Sequence, residues 1–222
     1  LLIIPEMFNT SFTTNPEDNY QDWENSSSID WLRNQSLKYE IAITTSLIIK
    51  ESDNYYNRLV FIDNGEIKGH YNKNYLFSLA RENEKFTAGT KNLILNYRGW
   101  KIAPLICYDL RFPELSRIDN KNEDHKYDLL IYVANWPMKR IQHWEKLLQA
   151  RAIENLTYCI GVNRVGKDGN HIEYDGKSKA IDPIGNPILE FEDFEEGLKS
   201  IVISKREVLE TRKKFGFLND IK

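Results

Sequence analysis

Short apolar segments recur along the chain at 1–5, 41–49, 58–63, 92–97, 101–107, 128–134, 158–163, 177–182 and 199–203, and many run continuously instead of alternating with polar residues. Successive side chains of a strand point to opposite faces, so a strand wetted on one face alternates and a continuous apolar run is covered on both. Sheets covered on one face by another sheet and on the other by helices account for this pattern. Two segments carry the helical period instead. In 141–156, Ile141, Trp144, Leu148 and Ala152 fall on one face, and 28–38 reads as a second helix with Ser28 as its N-cap. Asp63-Asn64-Gly65, between 58–63 and 67–71, is a hairpin signal, because Asn and Gly tolerate the positive φ of a tight turn. Asp182-Pro183-Ile184-Gly185-Asn186-Pro187 predicts a turn between two late strands.

No repeat of solenoid length and no low-complexity linker interrupts this order, so the 222 residues predict one domain, with a charged tail over 207–222. With 41% hydrophobic residues the chain buries a sizeable core, yet no apolar run is long enough to cross a bilayer. A net charge of −3 without a basic block argues against nucleic acid or an anionic membrane as the main partner. Two cysteines in strand-like runs give no disulfide framework, which makes a reducing cytoplasm the default location. Asn25-Ser26-Ser27 and Asn155-Leu156-Thr157 match glycosylation sequons formally and carry no weight without evidence of secretion.

Of the two thiols, Cys159 lies in the apolar run Leu156–Val162 with no charged cluster beside it and is assigned to the core. Cys107 differs. It ends the strand-like run Lys101–Ile106 and opens Cys107-Tyr108-Asp109-Leu110-Arg111-Phe112-Pro113-Glu114, a thiol followed at once by a polar, charged turn. The C-terminal end of a strand is where loops gather in layered α/β proteins, so the position suits a displayed nucleophile. A reactive thiol is expected in an electropositive, partly exposed setting.

That octapeptide resembles the nucleophile motif of the nitrilase superfamily, the carbon–nitrogen hydrolases with a Cys-Glu-Lys triad. The resemblance continues in order along the chain. Leu1-Leu2-Ile3-Ile4-Pro5-Glu6-Met7-Phe8 is similar to the family's first long strand and its glutamate, and Tyr71-Asn72-Lys73 to its Tyr-x-Lys element, although Asn74 and Tyr75 replace the basic or histidine residues often found there. Arg81–Gly89 supplies a second glutamate as Glu82, with Glu84 the poorer match. Tyr132–Pro137, Gln149–Asn155 and Asn163–Gly166 look most like the omega-amidase branch. The likeness runs from residue 1 to about Lys214. It implies a four-layer α-β-β-α sandwich, one strand and a helix before residue 1 that this chain lacks, a homodimer or higher homo-oligomer, and a tail that packs on a neighbouring subunit. A solvated tail helix is the competing reading.

What the resemblance implies for the site agrees with the chemistry an amide demands. Hydrolysis at neutral pH needs a nucleophile stronger than water, a proton for the leaving amine and a stabiliser for the oxyanion. Cys107 is then the nucleophile, Glu6 the proton acceptor and later donor, and Lys73 the oxyanion stabiliser. The backbone N–H of Tyr108 is the second oxyanion donor, and Glu82 supports Lys73 or the substrate amide. Arg111 either pairs with Glu114 or meets a substrate carboxylate. Trp136 borders the pocket or belongs to the core, and Arg151 and Glu154 are spaced for a pair within their helix.

The expected activity is release of ammonia from small omega-amides of dicarboxylates such as 2-oxoglutaramate, through a thioester. A nitrilase, an N-carbamoyl amidase or a deaminated-glutathione amidase keeps the same triad, and a non-catalytic scaffold on the same fold is the alternative of another class. His70, His125, His143 and His171 raise a Cys-His pair as a rival mechanism without a supporting motif, and neither they nor the cysteines have zinc spacing. No glycine-rich phosphate loop or dinucleotide fingerprint occurs, so neither a metal nor an organic cofactor is expected.

Overall fold

The computed structural model describes residues 1–118 and 126–221. Its contacts divide the chain into two compact units. The first holds Leu1–Leu93, Leu105–Asp109 and Val133–Asn135, and the second holds Ile94–Pro104 with the described residues of Leu110–Tyr132 and Trp136–Lys222.

In the first unit, β1 (Leu2–Ile3) and β2 (Gln21–Asp22) both run parallel to β3 (Ile43–Glu51), which continues through the antiparallel strands β4 (Asn54–Asp63) and β5 (Glu66–Asn72). The β4–β5 turn uses Asn64 at φ 50° and Gly65 at φ 73°, as its sequence predicts. Alternation along β3 and β4 separates two environments. Ile43, Leu47, Ile49, Val60 and Ile62 face the helix α1 (Ser27–Tyr39) and close a core with its Ile29 and Leu32. Ser46, Ile48, Asn57 and Leu59 point the other way, since Ser46 opposes Leu59 and Ile48 opposes Asn57. The cap of α1 is Ser26, two residues before the expected Ser28: the Ser26 hydroxyl accepts the Ile29 N–H at 3.1 Å, while the Ser28 N–H donates to Gln21. The capping rule admits any of three consecutive serines, and the position of the first buried apolar residue selects among them.

The second sheet has the order β13-β12-β9-β8-β7-β6, built from β6 (Leu95–Tyr97), β7 (Trp100–Ile106), β8 (Leu129–Ala134), β9 (Tyr158–Asn163), β12 (Lys179–Ile181) and β13 (Pro187–Glu190), and β10 (Val165–Lys167) and β11 (Glu173–Asp175) form a separate pair. A short helix α2 (Pro113–Ser116) follows the segment after β7, and α3 (Ile141–Asn155) realises the predicted helix almost to its boundary. The segment 199–203 is not a strand. It has no sheet partner, and Val202 is 97% exposed, so its apolar letters do not mark a buried strand. The tail forms α4 (Lys205–Phe215), which docks on its own unit. Val208 is buried, and Arg212 donates to the carbonyls of Leu156, Tyr127 and Asn155.

Helix α3 approaches β9 through Gly161. A Cβ there would lie 2.6 Å from Trp144 Cζ2 and against Leu148 Cδ1, so the missing side chain sets the helix–strand spacing. The substitution Gly161→Ala is therefore expected to destabilise the protein by ~1–3 kcal/mol. Urea unfolding measures this, and a midpoint equal to that of the parent would show that α3 yields freely.

Candidate active site

Main-chain and side-chain hydrogen bonds pin the segments that carry Glu6, Lys73 and Glu82. After β1, the Ile4 N–H donates to Thr44 O, the Thr45 hydroxyl to Pro5 O, and the Met7 N–H to Ser46 Oγ, so the chain is pinned on both sides of Glu6. Beyond β5, the Lys73 N–H donates to Asn57 O and its carbonyl accepts from the Gly89 N–H. Glu82 opens a single 3-10 turn (Glu82–Glu84), and its Oε2 accepts the Phe77 N–H at 2.6 Å. Cys107 begins the 3-10 turn Cys107–Arg111 directly after β7, with φ at 45°. A non-glycine residue in that region is strained and is held there by its surroundings.

The side chains meet in a buried cluster. Lys73 Nζ lies 3.1 Å from Glu6 Oε1 and 2.9 Å from Glu82 Oε2, with all three side chains at or below 1% exposure. Asn57 Nδ2 donates to both carboxylates, at 2.7 Å to Glu6 and 3.3 Å to Glu82. The other Glu6 oxygen accepts the Asn135 N–H at 2.9 Å, and Asn135 Nδ2 donates to the Glu6 carbonyl. The Cys107 thiol points at Asn135 O, 3.9 Å away. Asn135 therefore touches both the acid and the thiol.

Charge balance follows from this packing. Burial opposes a charge on Lys73, but Glu6 and Glu82, with a smaller contribution from Cys107, outweigh it and hold the ammonium far above its ordinary range. Burial, and then the negative charge of Glu6, push the Cys107 thiol well up, and Lys73 only partly offsets them. The electropositive setting expected of a reactive cysteine is thus absent: two carboxylates surround one ammonium, and burial together with the nearby Glu6 disfavours the thiolate of Cys107. Cys159 is also pushed up, by burial, and is a core residue.

The sequence-predicted residues separate as follows. Glu6, Lys73, Glu82 and Cys107 converge in the first unit, and the Tyr108 ring packs on Phe77 at 5.0 Å. Glu84 is bound to Arg81 in an exposed pair instead. Arg111 and Trp136 meet each other in the second unit, where the guanidinium lies 4.8 Å over the indole and reaches His143 Nδ1 at 3.1 Å. Trp136 also packs on Trp144 and is buried. Arg151 pairs with Glu154 at 3.0 Å and donates to Leu110 O at 2.7 Å. His70 packs edge-on against Trp23, His171 is exposed, and His125 lies outside the described residues. Among the described residues no cluster of three or more His, Cys, Asp or Glu side chains is arranged to hold a metal, and no helix is long and apolar enough to cross a membrane.

Asn57 and the bonds made by Asn135 went unrecognised in the sequence reading. The signal for Asn57 was a polar residue on the inward face of a strand otherwise buried, followed two residues later by Leu59 and four later by Phe61.

The carbon–nitrogen hydrolase family model matches residues 1–213, and the chain belongs to that family. It is 40% identical over 185 residues to the omega-amidase YafV of Yersinia enterocolitica, covering 83% of this chain and 70% of that protein. It is 32% identical over 224 residues to the 2-oxoglutaramate amidase of Bacillus subtilis, covering 100% of this chain and 85% of that protein. The crystal structure of XC1258 from Xanthomonas campestris, a carbon–nitrogen hydrolase superfamily protein with an arsenic adduct in its active site, superposes with a TM-score of 0.94 at 36% identity, over 99% of this chain and 83% of that one. The α/β fold is thus that of the nitrilase superfamily, and the protein is a hydrolase of carbon–nitrogen bonds.

Removing the ammonium by Lys73→Met leaves two buried carboxylates facing each other without a counterion. The expected loss of stability is ~3–5 kcal/mol, read by denaturant unfolding at neutral pH. A loss below ~1 kcal/mol would mean that water already screens the cluster.

Proposed function

We propose that the protein is an amidase that releases ammonia from small omega-amides of dicarboxylates, of which 2-oxoglutaramate is the type, through a thioester on Cys107. The observation that carries the reading is the Lys73 ammonium held between Glu6 and Glu82, with the Cys107 thiol and Glu6 joined through Asn135. The names borne by the relatives at 40% and 32% identity support the substrate class.

In this mechanism Glu6 takes the thiol proton as sulfur attacks the amide carbon. The proton moves only when the substrate arrives, because burial keeps the thiol neutral at rest. The tetrahedral oxyanion is met by Lys73 and the Tyr108 N–H, two donors fixed before the reaction begins. Collapse breaks the carbon–nitrogen bond, and Glu6 returns its proton to the departing ammonia. Glu6 then removes a proton from water, which attacks the thioester and releases the carboxylic acid and the restored thiol. Glu82 holds Lys73 in place with two oxygens, at 2.9 and 3.2 Å. For the substrate carboxylate we assign Arg111, a permanent cation oriented by its stack on Trp136.

The same reading takes the working protein as a cytoplasmic homo-oligomer. Exposed Leu198, Val202 and Leu209 are apolar side chains that a second copy would cover. Sedimentation at micromolar concentration is expected to show a dimer or larger species, and a monomer would overturn this part.

The variant Cys107→Ala is expected to keep the fold and to release no ammonia from 2-oxoglutaramate, whereas the parent shows a transient acyl adduct on Cys107 by intact mass spectrometry. Wild-type turnover by this variant would remove Cys107 from the chemistry. Faster turnover of a matched nitrile, an N-carbamoyl amino acid or deaminated glutathione by the parent would move the substrate assignment within the family.

A further inference from the structure

One buried carboxylate lies beside the triad without belonging to it. Asp109 is fully buried two residues after Cys107 and accepts three hydrogen bonds, one from the residue before Cys107 and two from the Tyr71–Tyr75 segment. The Ile106 N–H, on the residue before Cys107, donates to Oδ2 at 3.0 Å. The Tyr71 hydroxyl of β5 donates to the same oxygen at 2.9 Å. The Tyr75 N–H, two residues beyond Lys73, donates to Oδ1 at 2.9 Å. The Tyr71 oxygen in turn accepts the Asn74 N–H at 3.2 Å.

These bonds clamp the turn that carries the thiol to the chain segment that carries the ammonium. They span the one residue between them that needs outside support, Cys107 at φ 45°. We propose that Asp109 is a positioning residue for the nucleophile: its ionised carboxylate locks the Cys107 turn against the Tyr71–Tyr75 segment and so fixes sulfur relative to Lys73. The identification of sulfur as the nucleophile rests on the proposed function, but the clamp itself does not.

The lock is sensitive to protonation. The Ile106 and Tyr75 N–H groups can only donate, one to each oxygen, so a carboxylate satisfies both, whereas a protonated carboxyl must turn its hydrogen toward the Tyr71 oxygen and give up the bond that hydroxyl donates. Burial pushes the Asp109 carboxyl up to about 7, against the three hydrogen bonds and the charge of Lys73, which favour ionisation. The titratable groups that act on it are Tyr71 on β5 and Lys73 just beyond that strand. Because the folded-state value lies above the ordinary carboxylate range, the proton is bound more tightly in the folded protein. Protonation of Asp109 therefore costs no folding stability as pH falls toward 5, while it loosens the turn. Stability and reactivity then respond to pH in opposite directions across the same range.

The test follows the alkylation of Cys107 by iodoacetamide, resolved from Cys159 by peptide mass, and kcat/KM for 2-oxoglutaramate, both as functions of pH. In the parent, both are expected to show an ascending limb centred near pH 7. In Asp109→Asn, whose amide offers hydrogens to converging donors, the limb is expected to vanish and the rates above it to fall about tenfold or more. In Tyr71→Phe, loss of one donor to the carboxylate is expected to move the limb to higher pH. Rates within about twofold of the parent and an unchanged limb in a folded Asp109→Asn variant would overturn the proposal. If that variant does not fold, an unmoved limb in Tyr71→Phe overturns it instead. Should the alkylation profiles shift as expected while no amide is turned over, the clamp stands and the proposed substrate class falls. Amide turnover without any Asp109-dependent limb gives the converse.

Discussion

A lysine ammonium sealed between two carboxylates is the constraint to which the rest of the first unit answers. An isolated buried charge is prohibitively unfavourable, so Lys73, Glu6 and Glu82 are tolerable only together and only when their remaining hydrogen-bonding capacity is filled. Asn57, the Asn135 N–H and the Phe77 N–H fill it. Each of these groups comes from a different stretch of chain, and the cluster therefore links the end of β1, the middle of β4, the exit of β5 and the segment after β8. Burial first, and then the negative charge of Glu6, raise the cost of ionising the neighbouring Cys107 thiol, and Lys73 offsets them only in part. In the proposed mechanism this arrangement holds Glu6 ready as the base and Lys73 as an oxyanion donor, and Glu6 takes the thiol proton only as sulfur attacks the substrate.

Much of this was readable before folding. The continuous apolar runs located most of the long strands, Asn64-Gly65 marked its hairpin, and the three-and-four spacing of Trp144, Leu148 and Ala152 located α3. The motif order brought Glu6, Lys73, Glu82 and Cys107 to notice, and these are the residues that converge. What escaped was decided by tertiary partners. The stretch 199–203 has strand-like letters and no strand beside it, whereas β13 begins at a proline and is paired by β12. Asn57 and Asp109 are single polar letters in apolar or turn contexts, and only the three-dimensional positions of their partners distinguish them from surface residues.

The segment after Lys73 shows how a departure from family pattern can be absorbed. Asn74 and Tyr75 stand where basic residues or histidine are often found, yet the structure uses the backbone of both. The Asn74 N–H goes to Tyr71 and the Tyr75 N–H to Asp109. A contact made by the main chain does not depend on the identity of the side chain above it, so these two bonds are available with Asn74 and Tyr75 at these positions.

Register is the deeper requirement. On β3–β5 the apolar side chains under α1 and the polar ones that serve the site alternate residue by residue, so a slip of one position would exchange them. Asn57 would then face the helix, and the neighbouring Arg58, a buried cation, would leave its own partners: Glu51 at 2.7 Å, Asn72 at 2.7 Å and the rings of Trp23 and Tyr56. Two features prevent the slip. The Asn64-Gly65 turn fixes Asp63 opposite Glu66, and the register shift that follows, with Phe61 opposite Gly69 but Ile62 opposite Ile67, inserts one extra residue before β5 reaches Tyr71. That single inserted position brings Tyr71 opposite Leu59, on the side of the strand that carries Asn57, and just beyond the strand the Lys73 N–H donates to Asn57 O. The convergence of Glu6, Asn57, Lys73 and Glu82 thus depends on a hairpin turn and a bulge whose own residues lie outside the cluster.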